Sequence, residues 1–117
     1  MPTKRIADLA VACAELSNHR FRLGAVIHHG SRVLGVGFNQ ADKTHPASPH
    51  PFKSIHAEFS AFVNATRNVG IDRLKGSSIY VHRLKADGGP GLAKPCRFCE
   101  ELLNKVGVRN ISWSMSV

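Results

Sequence analysis

A chain of 117 residues with 43% hydrophobic residues suits one domain with an ordinary packed core, which argues against a disordered protein. Lysine and arginine number 16 against 8 acidic residues, so the formal net charge is +8 and favours anionic partners such as nucleotides or nucleic acid. No apolar run approaches the ~20 residues that cross a bilayer, and the N-terminal segment carries Asp8 and Glu15, unlike a signal peptide. We therefore expect a single soluble, cytoplasmic domain over residues 1–117.

The first part of the chain predicts a helix followed by a β-hairpin. Residues 3–17 repeat apolar side chains at helical spacing, and this apolar stripe consists of Ile6, Leu9, Ala10, Cys13 and Leu16. Residues 21–29 and 32–39 are predicted as two strands joined by a tight turn at residues 30–31. Three glycines within the strands indicate close approach of another backbone: Gly24, Gly35 and Gly37.

Helices and strands alternate in the second part of the chain. A polar loop with three prolines, residues 40–53, precedes a helix over residues 55–68, for which Ser54 is the candidate N-cap. The apolar side of that helix is predicted to consist of Ile55, Phe59, Phe62, Val63 and Thr66. The remaining predicted elements are a strand at 77–84, a glycine-rich loop at 85–94, a helix at 95–105 that opens with Pro95, and a strand at 109–115. The order α-β-β-α-β-α-β predicts an α/β fold with a mixed sheet and parallel pairing in the second part.

One histidine and two cysteines have the spacing of metal ligands. His56 lies at the start of the second predicted helix, and Cys96 and Cys99 lie one turn apart at the start of the third. If these helix N-termini meet at one edge of the sheet, an imidazole and two thiolates converge, which leaves the fourth position of a zinc ion open for water. Glu58, two residues after His56, could then take a proton from that water and pass it on.

These residues resemble a known family. The sequence H-A-E at residues 56–58 and P-C-x-x-C at residues 95–99 are similar to the zinc-binding motifs of the cytidine and deoxycytidylate deaminase superfamily. The resemblance extends from the first helix to the last strand and implies a three-layer α-β-α, cytidine deaminase-like fold. It also implies one catalytic zinc ion per chain, held by His56, Cys96 and Cys99, and the hydrolytic loss of an exocyclic amine from a cyclic amidine.

The resemblance assigns roles to further residues. Glu58 would protonate the ring nitrogen and later the leaving ammonia, and the backbone N–H of Ala57 would bind the carbonyl of the base. Asn39, at the end of the second strand, matches an asparagine that contacts the base or the sugar. A strand-end asparagine is also common in turns, so a purely structural role for Asn39 is the alternative.

The residue before the first cysteine bears on the substrate. Transfer-RNA adenosine deaminases usually carry an acidic residue there, whereas this chain has Lys94, and the segment before Pro95 is extended as in short phage-type and deoxycytidylate-type deaminases. A cation beside the pocket suits a phosphate, which makes Lys94, Arg97 and Lys53 candidate phosphate contacts, with solvated surface charge as the alternative. The resemblance thus implies a cytosine nucleotide, dCMP first, as substrate, and a homo-oligomer as the assembly.

Other interpretations stay open. The net charge of +8 favours a deaminase acting on a base in single-stranded nucleic acid or tRNA, although an aromatic content of 7% argues mildly against it. A non-catalytic, zinc-stabilised binding module would have no need of Glu58. A thioredoxin-like redox pair would lack the upstream histidine and glutamate, and a structural zinc site would need a fourth ligand such as His45, His50 or His82. A second metal at His45 and His50 is disfavoured because residues 40–53 contain no cysteine.

Overall fold

The computed structural model describes residues 3–41 and 54–115, and it confirms the predicted α/β fold with three helices and a mixed sheet. The helices are α1 (Lys4–Glu15), α2 (Ala57–Val69) and α3 (Arg97–Lys105), with a 3-10 turn at Ile71–Leu74. The strands are β1 (Arg22–His29), β2 (Arg32–Phe38), β3 (Gln40–Ala41), β4 (Ser54–Ile55), β5 (Ser78–Leu84), β6 (Pro90–Gly91) and β7 (Asn110–Trp113). Within the described ranges, no helix has the length and apolar character needed to cross a membrane.

The main sheet has the strand order β2-β1-β5-β6, with β7 also paired to β5. The predicted hairpin is present, since β1 runs antiparallel to β2. β1 is also antiparallel to β5, whereas β7 is parallel to β5, which confirms the parallel pairing expected from the alternation of strands and helices. The short strands β3 and β4 form a separate antiparallel pair.

Helices cover both faces of the sheet and produce three layers. Adjacent strand residues point to opposite faces. Accordingly, Val26 of β1 packs with Ile6 and Ala10 of α1, whereas its neighbour Ile27 belongs to the larger core beneath α2 and α3. That larger core includes fully buried residues from several elements: Ala61, Ala65, Ile79, Val81 and Leu103.

Helix α2 lies unusually close to the sheet because β2 has glycine where the two backbones meet. A Cβ atom built on Gly35 would lie 2.4 Å from the backbone nitrogen of Ala65, and one built on Gly37 would lie 2.3 Å from that of Ala61. Gly24 likewise faces α1, where an added Cβ would lie 2.1 Å from the carbonyl oxygen of Ala10. The close backbone approach predicted at these three glycines is therefore confirmed.

The predicted helix starts were wrong by one or two residues. Ser54 is not the N-cap of α2, because it pairs in β4 and the N-cap is His56. Pro95 is not the first residue of α3, because Cys96 is the N-cap and the helix begins at Arg97. Both helices begin later in the sequence than predicted, because the candidate metal ligand itself is the N-cap. His56 and Cys96 have the extended backbone of a cap residue, with ψ of 151° and 160°.

Some predicted apolar faces were also wrong. Leu16, placed on the buried stripe of α1, is 66% exposed because α1 ends at Glu15 and Leu16 is already its C-cap. Most of the large side chains expected inside α2 are only half-buried, and the face against β2 is made of alanines. The sequence prediction missed this because the glycines of β2 leave no room for larger side chains there. It also missed the short elements β3, β4, β6 and the 3-10 turn.

Replacing Gly35 with alanine should destabilise the fold. The added methyl group would meet the backbone of Ala65 rather than a mobile side chain, so α2 or β2 must shift, at a cost of about 1–3 kcal/mol. Gly89→Ala is the matched control, because its Cβ would meet only the side chain of the exposed Asp87. Urea unfolding of both variants measures the difference, and equal stabilities would contradict the close packing of α2.

Candidate metal centre and active site

The N-termini of α2 and α3 meet and bring together the three predicted metal ligands. His56 is the N-cap of α2, Cys96 is the N-cap of α3, and Cys99 lies in the first turn of α3. The His56 Nδ1 atom lies 3.4 Å from the Cys96 sulfur and 3.6 Å from the Cys99 sulfur. In the described part of the chain, this is the one group of three or more histidine, cysteine or acidic side chains with the spacing to hold a metal ion.

The donor atoms have the separations that a tetrahedral zinc ion requires. Bond lengths of about 2.3 Å to sulfur and about 2.1 Å to nitrogen, with tetrahedral angles, place nitrogen and sulfur roughly 3.6 Å apart. The two measured nitrogen–sulfur distances agree with this value. Two cysteines and one histidine are also ligands that zinc prefers. The residues present therefore fit zinc, with three protein donors and room for a fourth ligand.

The electrostatics of α3 favour a thiolate at Cys96. Its sulfur accepts a hydrogen bond from the backbone N–H of Cys99 at 3.4 Å, as an N-cap side chain does. The pKa of Cys96 falls to about 3, first because the Cys99 thiol donates a hydrogen bond to it, and also because of its contact with His56. The pKa of Cys99 is correspondingly raised, by its hydrogen bond to Cys96, by burial and by the charge of Glu58. These opposite shifts in pKa favour a thiolate at Cys96 and a thiol at Cys99, and a bound cation would displace the thiol proton.

Glu58 is buried beside these ligands, with 4% of its surface exposed. Its pKa is raised mainly by burial, and the opposing effects of its own backbone N–H and of His56 are smaller. A carboxyl group with a raised pKa can hold and release a proton near neutral pH. A buried carboxylate on an otherwise apolar stretch of helix costs stability, so this position suits proton transfer better than packing.

A cavity of about 230 Å³ is bordered by Glu58 and by two of the candidate metal ligands, His56 and Cys96. Its inner end is formed by His56, Ala57, Glu58 and Cys96. Its walls are formed by His19, Phe21, Leu23, Asn39 and Lys94. Six of the eight predicted site residues therefore line one cavity, and Cys99 and Arg97 are the two that do not. Residues 19–23 contribute the three lining residues that were not predicted.

Asn39 borders the cavity and also holds its wall in place. Its side-chain carbonyl accepts a hydrogen bond from the backbone N–H of Leu23 at 2.8 Å, and its amide donates to the carbonyl oxygen of Phe21. The Ser17 hydroxyl lies 2.6 Å from the same side-chain oxygen. Asn39 is 4% exposed. These bonds favour the structural alternative for Asn39, since its polar atoms already fix the segment that lines the cavity.

The predicted phosphate contacts separate into different places. Lys94 is exposed and lines the cavity. Arg97 does not line it: the Arg97 side chain is 86% exposed and pairs with Glu101 at 3.1 Å on the outer side of α3. Lys53, like His45 and His50, lies outside the described residues. His82 is not near the ligands; its ring contacts the hydroxyl of Tyr80 at 3.0 Å.

Sequence reasoning missed the wall formed by His19, Phe21 and Leu23. His19 and Phe21 belong to the connection between α1 and β1, Leu23 belongs to β1, and the three carry no recognisable motif. No local pattern indicates that their side chains line a cavity.

Comparisons with known proteins agree with this geometry. Residues 2–115 match the family model described as the cytidine and deoxycytidylate deaminase zinc-binding region. No curated protein sequence matches the chain at a significant level.

Solved structures of several deaminases share the fold. The dCMP deaminase of cyanophage S-TIM5, in complex with dCMP and dUMP, is 21% identical, with a TM-score of 0.62 over 97% of this chain and 83% of that one. A cytidine deaminase from Burkholderia pseudomallei is 19% identical, with a TM-score of 0.65 over 92% of this chain and 78% of that one. A guanine deaminase from Bacillus subtilis is 20% identical, with a TM-score of 0.64 over 97% of this chain and 64% of that one. Because these proteins act on different bases, the structural likeness shows the fold of this chain but does not identify its substrate.

Cys96→Ser should remove most of the bound metal. The wild-type protein is expected to carry about one zinc ion per chain, and loss of one of three protein donors should leave little zinc after dialysis. Cys13→Ser is the matched control, because Cys13 is a buried cysteine of α1 outside the ligand group. Elemental analysis of both purified variants measures the zinc content. A Cys96 variant with full zinc content would show that the ligand set is wrong.

Proposed function

Because this chain belongs to the cytidine and deoxycytidylate deaminase family, we propose that it hydrolytically deaminates a cytosine nucleotide, converting dCMP to dUMP. The observation that carries this proposal is the convergence of two thiol groups, one imidazole and a buried carboxyl group, three of which line a single cavity. A phage dCMP deaminase of the same fold has been solved in complex with dCMP and dUMP, so this fold can hold such a nucleotide, and Lys94 at the cavity supplies a cation for its phosphate.

In this proposal His56, Cys96 and Cys99 hold one zinc ion. When bound there, zinc supplies an activated water at neutral pH by lowering its pKa toward about 7. The overall reaction adds water to C4 of cytosine and breaks the bond from C4 to the exocyclic nitrogen, which leaves as ammonia. Three protein donors are enough to fix the ion while a position stays open for the reaction.

Glu58 is proposed to carry the proton between these steps. Its position at the inner end of the cavity lets it receive a proton from water and deliver it first to the ring nitrogen and later to the departing amine. Burial keeps the pKa of Glu58 above its usual value, so the protonated form is available to donate.

Two further groups are proposed to hold the substrate. Ala57 is the first residue of α2, is buried and lines the cavity, so its backbone N–H can bind the carbonyl oxygen of the base. Lys94 lies on the cavity wall, where its ammonium group suits the 5′-phosphate of a nucleotide. A phosphate at Lys94 would distinguish dCMP from the uncharged nucleoside.

The domain organisation, localisation and assembly of the protein are proposed from its resemblance to the family. We propose a single cytoplasmic domain over residues 1–117 that works as a homo-oligomer. Several large apolar side chains of the described chain are exposed and could be covered by a second copy: Leu16, Leu92 and Met115. Sedimentation at several protein concentrations measures the assembly directly.

Glu58→Gln should abolish turnover and leave the zinc content unchanged. Glutamine has almost the same shape but cannot transfer a proton, so we expect the rate to fall by at least about 10²–10⁴-fold. The assay incubates the zinc-loaded protein with dCMP, CMP, deoxycytidine and cytosine and follows the gain of about one mass unit that deamination produces. Glu101→Gln, an exposed acid on α3, is the control. Full activity of the Glu58 variant would overturn the proposed role of this carboxyl group.

Lys94→Gln should raise the KM for dCMP and leave the KM for deoxycytidine little changed. Loss of one charge-assisted contact to phosphate is worth about 1.5–3 kcal/mol, which corresponds to a KM roughly ten- to a hundredfold higher. Arg97→Gln is the matched control, because it removes one nearby cation that does not line the cavity. If the Arg97 variant shows the larger effect, the phosphate does not sit at Lys94.

A further inference from the structure

A second, larger cavity lies beside the catalytic one. It measures about 530 Å³, and four of its lining residues are cations: Arg20, Arg22, Arg83 and Lys85. Among the residues that the structure describes, no acidic side chain lines it. The exposed carboxylate of Asp87 lies 3.7 Å from the Lys85 ammonium. We call the surface formed by these four cations and Phe21 the basic groove.

The two cavities share one wall. In the segment 19–23, His19, Phe21 and Leu23 line the catalytic cavity, whereas Arg20 and Arg22 line the basic groove. Arg22 and Leu23 belong to β1, where successive side chains point to opposite faces, whereas residues 19–21 form a bend. Phe21 borders both cavities, so a ligand that leaves the catalytic cavity past Phe21 enters the basic groove directly.

Phe21 is an exposed aromatic ring close to two guanidinium groups. It is 45% exposed, with the Arg83 guanidinium carbon 4.7 Å and the Arg20 guanidinium carbon 5.6 Å from the ring centre. Proteins that bind single-stranded nucleic acid combine a positively charged groove for the phosphates with aromatic rings on which bases stack. Arginine serves both purposes, because its planar group pairs with phosphate and stacks on rings.

We propose that the basic groove binds the nucleotides that flank the target cytosine in a single-stranded nucleic acid, with phosphates on its cations and a flanking base stacked on Phe21. This inference rests on the proposed function and extends its substrate class from a free nucleotide to a strand. A single monophosphate does not account for the groove, since Lys94 already offers a cation at the catalytic cavity and the groove has more than twice the volume of that cavity.

The first test is the binding of a fluorescein-labelled oligodeoxynucleotide with one cytosine among thymines, followed by anisotropy. All proteins carry zinc and the Glu58→Gln substitution, so that no turnover occurs. Arg20→Gln combined with Lys85→Gln should weaken binding roughly tenfold and reduce the slope of log Kd against log salt by about 1.4, or about 0.7 per lost phosphate contact. Both side chains belong to exposed residues, so the fold should tolerate the changes.

The matched control removes the same charge elsewhere. Arg32→Gln combined with Arg73→Gln takes two exposed cations from residues that do not line either cavity. This pair should leave the affinity and the salt slope close to those of the parent. If the two pairs of substitutions weaken binding equally, only net charge matters and the proposed role of the groove is wrong. The proposal is also wrong if the parent protein does not bind the oligonucleotide.

A second comparison distinguishes a strand from a free nucleotide. Titration calorimetry in the same Glu58→Gln background gives the Kd for dCMP. The groove pair should raise the ratio of the oligonucleotide Kd to the dCMP Kd about tenfold. An unchanged ratio would mean that the groove holds the phosphate of the mononucleotide, which overturns the proposal. If wild-type protein binds the strand through the groove yet deaminates no cytosine substrate, the proposed function fails and the groove stands.

Discussion

The contact between α2 and β2 is the constraint on which the rest of the structure depends. Glycines at Gly35 and Gly37 let the helix backbone approach the strand backbone directly, and only alanine fits on the helix side. Two asparagines one turn apart on α2 then donate to carbonyl oxygens of β2, Asn64 to Val36 at 2.7 Å and Asn68 to Leu34 at 3.0 Å. Because β2 ends the sheet, these bonds also satisfy groups on an edge strand. Packing and hydrogen bonding together fix the distance of α2 from the sheet and the direction of its axis. They therefore fix the position of its N-terminus.

The start of α2 matters because the site is assembled from two helix N-termini. His56 and Cys96 are both cap residues with extended backbone, so each side chain projects from the end of its helix toward the other. The positive ends of α2 and α3 favour negative charge between them, which suits thiolates and disfavours a pair of protons on sulfur. Glu58, in the first turn of α2, is buried by the same packing, and burial raises its pKa. The metal donors and the proton carrier therefore acquire their properties from backbone geometry that β2 imposes.

The sequence predicted the features that depend on a local pattern of residues. It did not predict the features that depend on which element packs against another. Periodicity predicted the long helices and strands, and the spacing of His56, Cys96 and Cys99 predicted which residues the fold would bring together. The buried face of α2 was misjudged because apolar size suggests Phe62 and Val63, whereas the space above Gly35 admits only alanine. Arg97 follows Cys96 directly yet points away from the cavity, since one helical position rotates a side chain by about 100°. The wall at 19–23 carries no motif, so no reading of the chain alone connects it to the site.

That wall shows how a residue can serve a site without touching a substrate. Asn39 forms hydrogen bonds with the backbone of Phe21 and Leu23, and Ser17 forms one with Asn39. The residue that follows β2 therefore fixes the start of β1. With this backbone fixed, Phe21 borders both cavities, whereas Arg20 and Arg22 line the basic groove alone. The hydrogen bonds of Asn39 therefore help to determine which side chains of this segment border the cavity of Glu58 and which border only the groove.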